Sequence, residues 1–311
     1  MNKGVAFIFP GQGAQYPGMG RDFFENFPVA KQVFAKADAI LGFSFSELIF
    51  NGPAEELTRT KNSQFAIFIT SIAILKVLQE QNPELHPAIC GGLSLGEYTA
   101  LVAAGKLSFE EALPLVKARG EFMEEACIAY PGIMHVVLGM ELPAVEEVVK
   151  GRSGIWVANL NCPGQIVISG TKEGVEQATE LLKEKGARRV LPLDVSGAFH
   201  SGLMQSAEKR LSPLIEQANM RKSDVDVVMN VLGNKVEALE EIRKNMTKQV
   251  TSPVRWQKCV ETMVDSGVEL FIEMGPGKTL AGMNKRIGVQ IPTVSVEKVE
   301  DLEGVVYAPT A

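Results

Sequence analysis

Gly92-Leu93-Ser94-Leu95-Gly96 is a G-x-S-x-G pentapeptide standing between a short apolar run and a helical pattern. In that setting a sharp turn exposes the serine Oγ while the glycines let the backbone pass close to its neighbours. The helix that follows offers free N–H groups and the positive end of its dipole to a developing oxyanion. The chemistry such a turn serves is nucleophilic attack by serine on a carbonyl carbon. The bland reading of the same residues is a glycine-flanked turn with a helix-capping serine.

A serine nucleophile needs a base, and the chain has three histidines. His86 lies across the expected strand from Ser94, more than about 20 Å away if that segment is extended. His135 falls within an expected strand and reads as structural. His200 lies in Gly197-Ala198-Phe199-His200-Ser201, a loop between strand and helix, where catalytic side chains are often carried. Elimination pairs Ser94 with His200, against the plainer reading of His200 as a helix cap.

Arg119 is also out of place. On a helix its face neighbours are Leu115, Val116, Phe122 and Met123, and an unpaired charge among apolar residues is costly. Its anion is either a structural carboxylate, Glu97 or Glu125, or a substrate carboxylate held bidentately. Three glycine-rich signals fail as phosphate cradles. Gly11 to Tyr16 puts tyrosine where a dinucleotide fingerprint needs its third glycine, and Gly18-Met19-Gly20 puts Phe23 there. Gly277-Lys278-Thr279 would need its first P-loop glycine at Ile272, inside a strand.

The elements that must position these residues follow from periodicity. Val5–Phe9, ended by Pro10-Gly11, and Ala88–Cys90 read as buried strands, with helices around 21–41 and 63–81. Glu97–Ala104 is helical, and Ser108 with Glu111 caps a further helix that Pro114 should bend. Strand 133–139, helix 143–150, strands 154–159 and 165–169, helix 173–185 and strand 188–193 give βαββαβ, a ferredoxin-like unit. Helix 201–218, strand 225–230, helix 254–265 and strand 268–273 complete the reading.

With 311 residues the chain should form one large or two smaller domains. Thirty-seven acidic against 31 basic residues give a net charge of −6, which disfavours a nucleic-acid partner. The most apolar stretch, 65–75, is too short to span a membrane, and the apolar run before Pro10 is too short for a signal peptide. Four separated cysteines, with no histidine at metal spacing, suit a reducing cytoplasm and argue against disulfides or a metal site.

Together these residues carry a family resemblance. Phe9-Pro10-Gly11-Gln12-Gly13-Ala14-Gln15 resembles the opening of malonyl-CoA:acyl carrier protein transacylases and polyketide acyltransferase domains. The elbow at 92–97, Lys117-Ala118-Arg119-Gly120, Ala198-Phe199-His200, Asn161-x-Pro163-Gly164-Gln165, Gln249 before Ser252-Pro253-Val254, and Glu273-x-Gly275-Pro276-Gly277 match in order and spacing, over about residues 4–296. The resemblance implies an α/β fold: an α/β-hydrolase-like domain (1–128 and 197–311) with a ferredoxin-like insertion (129–196).

It further implies Ser94 as nucleophile, His200 as base, the backbone N–H groups of Gln12 and Leu95 as oxyanion hole, and Arg119 as the clamp on a malonyl carboxylate. Gln249 would orient the histidine through its backbone carbonyl, the role of a triad aspartate. One position departs: Leu93 stands where the family usually has histidine. The implied reaction is ping-pong malonyl transfer from malonyl-CoA to the phosphopantetheine thiol of acyl carrier protein, with neither metal nor bound cofactor. The enzyme would be a cytoplasmic monomer with no membrane or nucleic-acid partner. Phe199 would exclude an α-methyl branch, and Lys183, Lys185, Arg188, Arg189, Lys209 and Arg210 would attract an acidic carrier. The rival readings are an esterase, in which water rather than thiol captures the acyl-enzyme, and a carrier-binding scaffold without activity.

Overall fold

The computed structural model describes residues 4–305; the expected domain ends at 1–3 and 306–311 lie outside the described residues. Five buried residues, Val5–Phe9, form β1 at the centre of the main sheet. Their unbroken apolar run fits a parallel strand covered on both faces. The other strands in chain order are β2 (Ile89–Gly92), β3 (Ile133–Leu138), β4 (Ile155–Cys162), β5 (Gln165–Gly170), β6 (Arg189–Pro192), β7 (Asp226–Met229), β8 (Asn234–Lys235), β9 (Leu270–Met274) and β10 (Thr293–Val296).

The main sheet has the order β10-β9-β1-β2-β7-β8, parallel except where β8 pairs antiparallel with β7. The second sheet has the order β4-β5-β3-β6 and is antiparallel throughout, with helices Leu142–Val149 and Lys172–Glu184 completing the βαββαβ order. The fold is thus mixed α/β, with a mainly parallel sheet and a separate antiparallel one. The two sheets meet at β4, where Leu160 N–H donates to Val254 O (2.8 Å) and Val254 N–H to Ala158 O (2.8 Å).

Several elements differ from the sequence reading. The helix expected over 21–41 is two, Arg21–Asn26 and Pro28–Leu41, because Pro28 takes the first helical position and Phe27 before it is extended. The helix through Pro114 is a single 21-residue element, Phe109–Ala129, capped where Ser108 Oγ accepts the Glu111 N–H. Strand β2 runs on through Gly91-Gly92, past the expected end at Cys90.

Helix Thr60–Gln81 starts before the expected residue 63, and at 22 residues it is long and apolar enough to cross a membrane by length and composition alone. Here 89% of its apolar window is buried inside the protein, so it is the central core helix, with polar Thr60, Ser63 and Gln64 buried too. Helix Leu239–Gln249 and the edge strand β10 were not foreseen. The former carries Gln249, and its signal was present: Leu239, Ile242, Met246 and Val250 share one helical face.

Candidate active site

The elbow forms where β2 leaves the sheet beside β1. Phe9 pairs with Gly92, and the Leu93 N–H donates to Phe9 O at 3.0 Å. A Cβ on Gly96 would lie 2.2 Å from Phe9 O, and one on Gly92 would lie 2.0 Å from the Gly96 carbonyl carbon. Both positions therefore require glycine. Ser94 (φ 52°) and His200 (φ 55°) are the two non-glycine residues of positive φ among the described residues. Such a backbone costs roughly 1–3 kcal/mol and persists only where its surroundings hold it.

The structure brings the expected pair together. Ser94 Oγ lies 2.8 Å from His200 Nε2, and His200 Nδ1 lies 2.8 Å from Gln249 O. With Nδ1–H donated to that carbonyl, Nε2 presents its lone pair to the serine hydroxyl. Among the described residues a backbone carbonyl, not a carboxylate, stands behind the imidazole. Burial first, and the Arg119 charge second, bring the His200 pKa down from its ordinary 6.5 to about 4, against the opposing backbone hydrogen bonds of Gln249 and Ser252. The ring is therefore neutral at pH 7. The other histidines lie elsewhere: His86 is exposed and His135 Nδ1 sits 2.9 Å from Thr179 Oγ1.

Arg119 is 1% exposed, yet neither expected carboxylate pairs with it. Glu125 bonds Arg210 instead. Glu97 Oε2 accepts the Asn230 N–H at 2.6 Å, and Glu97 Oε1 is buried without a hydrogen-bond partner. The guanidinium is held by neutral acceptors: Gln64 Oε1, Gln249 Oε1 at 2.9 Å and Ser94 Oγ at 3.0 Å, with the Tyr98 ring beneath it at 5.7 Å. Glu97 makes no ion pair with it, and burial raises the Glu97 pKa to about 8. A cation placed 3.0 Å from the serine oxygen without an ion pair is chemically suited to a carboxylate brought by a substrate.

Gln12, Leu93, Ser94, Phe199 and His200 line one cavity of about 310 Å³. Its far wall is the second sheet, through Met134, Asn159, Asn161 and Val167. Gln12 follows β1, and its Nε2 donates to Thr60 Oγ1 (3.3 Å), which lies 2.6 Å from Ser196 Oγ, so the Gln12 loop is tied to the segment leading to His200. Leu95 buries its side chain at the start of helix Gly96–Ala103. Sequence reasoning missed Gln64 and Asn230, which contact Arg119 and Ser94 from remote elements and carry no local motif. Among the described residues no cluster of three or more His, Cys, Asp or Glu could hold a metal, and all four cysteines are free.

Comparison with known proteins adds the following. The acyl transferase domain family matches residues 6–302. A Bacillus subtilis (strain 168) protein named malonyl CoA-acyl carrier protein transacylase is 45% identical, the alignment covering 96% of this chain and 95% of that one. An acyl carrier protein S-malonyltransferase structure from Vibrio cholerae superposes with a TM-score of 0.92 at 39% identity, covering 97% and 99% of the two chains. A malonyl-transacylase solved in complex with its type II polyketide acyl-carrier protein gives a TM-score of 0.92 at 38% identity, covering 96% and 98%.

The buried imidazole sets a pH dependence. The kcat/KM of the free enzyme should lose activity on acidification only well below pH 6.5, because the neutral ring is the active form. In Arg119→Met the acid limb should move up in pH, since the cation that opposes protonation is gone. Stability follows the same group: the unfolded chain takes the His200 proton first, so His200's contribution falls as pH drops from about 6.5 toward about 4. An acid limb at the same pH in both proteins would exclude the Arg119 effect on the base.

Proposed function

The chain belongs to the acyl transferase domain family, and from that premise we propose that it transfers malonyl groups from malonyl-CoA to the phosphopantetheine thiol of acyl carrier protein. The product supplies fatty acid elongation. The observation that carries this reading is the buried Arg119 guanidinium, 3.0 Å from Ser94 Oγ and without a carboxylate partner. A malonyl group esterified to that oxygen ends in a carboxylate two carbons on, within the reach of the fork.

The steps follow from the geometry. As Ser94 Oγ attacks the thioester carbonyl, its proton passes to His200 Nε2, and the oxyanion is held by the Leu95 and Gln12 N–H groups. The tetrahedral adduct collapses, the carbon–sulfur bond breaks, and the imidazolium returns its proton to the departing CoA thiolate. A histidine of low pKa makes a weak base but a strong conjugate acid, which suits that second transfer. The carrier thiol then attacks the malonyl-serine ester by the reverse path. When the malonyl carboxylate pairs with Arg119 it offsets the charge that opposes His200 protonation, so the correct substrate improves its own base.

We place the chain boundaries of the inserted subdomain at 128/129 and 196/197. We assign the enzyme to the cytoplasm as a monomer needing neither metal nor cofactor. Four buried reduced cysteines fit that compartment.

Mixing the enzyme with malonyl-CoA alone should add one malonyl mass to Ser94. Ser94→Ala should abolish it, and His200→Ala should be nearly as damaging. An adduct on another residue, or free malonate released without carrier as the main product, would overturn transfer through Ser94.

Selectivity should reside in Arg119. An acetyl group leaves the buried cation unpaired, at about 3–5 kcal/mol, or two to three and a half decades in rate. Arg119→Ala should depress malonyl transfer steeply and bring acetyl transfer level or above it, with Phe199 still excluding α-branched acyl groups. An unchanged malonyl-to-acetyl ratio of kcat/KM would make Arg119 a structural residue.

For carrier docking the basic clusters are not equivalent. Lys183, Lys185 and Arg210 are engaged by Glu180, Glu147 and Glu125. Arg188 and Arg189 are exposed at β6, the edge strand that leads into cavity residues Leu193 and Val195. Reversing both charges should raise the carrier's KM and leave malonylation by malonyl-CoA unchanged. Equal damage to both half-reactions would refute docking there.

A further inference from the structure

Asn230 directly follows β7, is fully buried, and lines no part of the cavity. All of its polar atoms are nonetheless engaged, three of the four around the elbow. Its Nδ2 donates to Gly92 O at 2.8 Å and its Oδ1 accepts the Ser94 N–H at 2.7 Å, so one carboxamide spans the turn from both sides. Its backbone N–H donates to Glu97 Oε2 at 2.6 Å, and its carbonyl accepts from Arg255 N–H at 3.0 Å.

The register explains why a side chain takes this place. Strands β2 and β7 pair at Ile89–Asp226 and Cys90–Val227, and the pairing stops as β2 turns into the elbow. Beyond that point the Asn230 amide substitutes for the missing strand and continues the hydrogen bonding across the left-handed Ser94. A second carboxamide completes the clamp. Gln249 Nε2 donates to Ser94 O at 2.9 Å and approaches Asn230 Oδ1 at 3.4 Å.

In a trans peptide the C=O and N–H point in opposite directions. With Ser94 O turned toward Gln249, the Leu95 N–H is turned to the other side of that peptide. We propose that Asn230, acting with the Gln249 side chain, is a positioning residue that fixes the Ser94–Leu95 backbone so that nucleophile and oxyanion donor are aimed together. The proposal rests on Ser94 being malonylated. It predicts an effect on the rate of acyl transfer rather than on substrate binding, because Asn230 lines no part of the cavity.

The test uses Asn230→Leu and Asn230→Asp in the full chain, following Ser94 malonylation by quenched flow and mass, with a melting curve for each protein. Loss of one oxyanion donor costs about 10²–10³ in kcat, so loosening it should slow malonylation roughly 10- to 100-fold, with the KM for malonyl-CoA within about threefold. Asn230→Asp adds a pH signature. Its ionised carboxylate cannot donate to Gly92 O, but its protonated form can donate there and accept from Ser94, so its rate relative to wild type should recover on acidification. The groups facing it are Glu97, Cys259, and, through Gln249, Arg119 and His200; wild type measured in parallel removes their contribution. If Asn230→Leu fails to fold, the recovery of Asn230→Asp decides. Wild-type rates in folded variants, a rise in KM alone, or no recovery of Asn230→Asp on acidification would each overturn the positioning role. Absence of malonyl-serine in wild type would instead overturn the reading of Ser94 beneath it.

Discussion

The left-handed backbone at Ser94 is the constraint on which the rest of the site depends. An L-residue leaves that conformation unless something holds it, and here the restraints come from elements far apart in the chain. Strand β1 receives the Leu93 N–H, Gly92 and Gly96 remove the side chains that would block the approach, and two buried carboxamides hold the amide and carbonyl of Ser94. Ser94 is raised out of the sheet by packing and hydrogen bonds that must all be present together. The same holds for His200, the other non-glycine residue in that region of backbone space among those described.

Gln249 joins three functions in one residue. Its carbonyl faces His200 Nδ1, its Oε1 accepts from Arg119, and its Nε2 holds Ser94 O. A carboxylate at the histidine-facing position would raise the imidazole pKa and draw the arginine into an ion pair. Neutral amide groups do neither. They leave Arg119 as an excess charge in a dry site, where its Coulomb interactions are strongest, and keep the imidazole unprotonated. The site is thereby left with a cation that no carboxylate of the chain pairs among the described residues.

The antiparallel sheet gives the cavity its second wall. Asn159 and Asn161 of β4 and Met134 of β3 face the elbow across the opening, and β4 is joined to the segment before helix Trp256–Asp265 through Val254. Leu93 also lines this space, adding apolar surface beside the nucleophile where a histidine would bring a polar ring.

The sequence by itself determined whatever is encoded locally. The short apolar runs gave the parallel strands β1, β2, β7 and β9 but not the edge strand β10, the βαββαβ order gave the second sheet, and G-x-S-x-G with its following helix gave the elbow. With three histidines, elimination alone reached the partner of Ser94. Local patterns could not weigh alternatives decided by distant residues. Arg119 was ambiguous because its helix face shows that a partner is needed but not which one; tertiary structure sends Glu125 to Arg210 and Glu97 to Asn230, and surrounds the guanidinium with amides. The apolar run 65–75 reads as too short to span a membrane because Gln64 and Lys76 bound it, yet the helix is a core element in which Gln64, Thr70 and Ser71 are buried, Gln64 against Arg119, while Lys76 is exposed. Asn230 stayed invisible for the same reason. A buried asparagine after a strand has no periodic signature, and its role arises only where β7 ends beside the turn of β2, a juxtaposition made by chain crossovers rather than by neighbours in sequence.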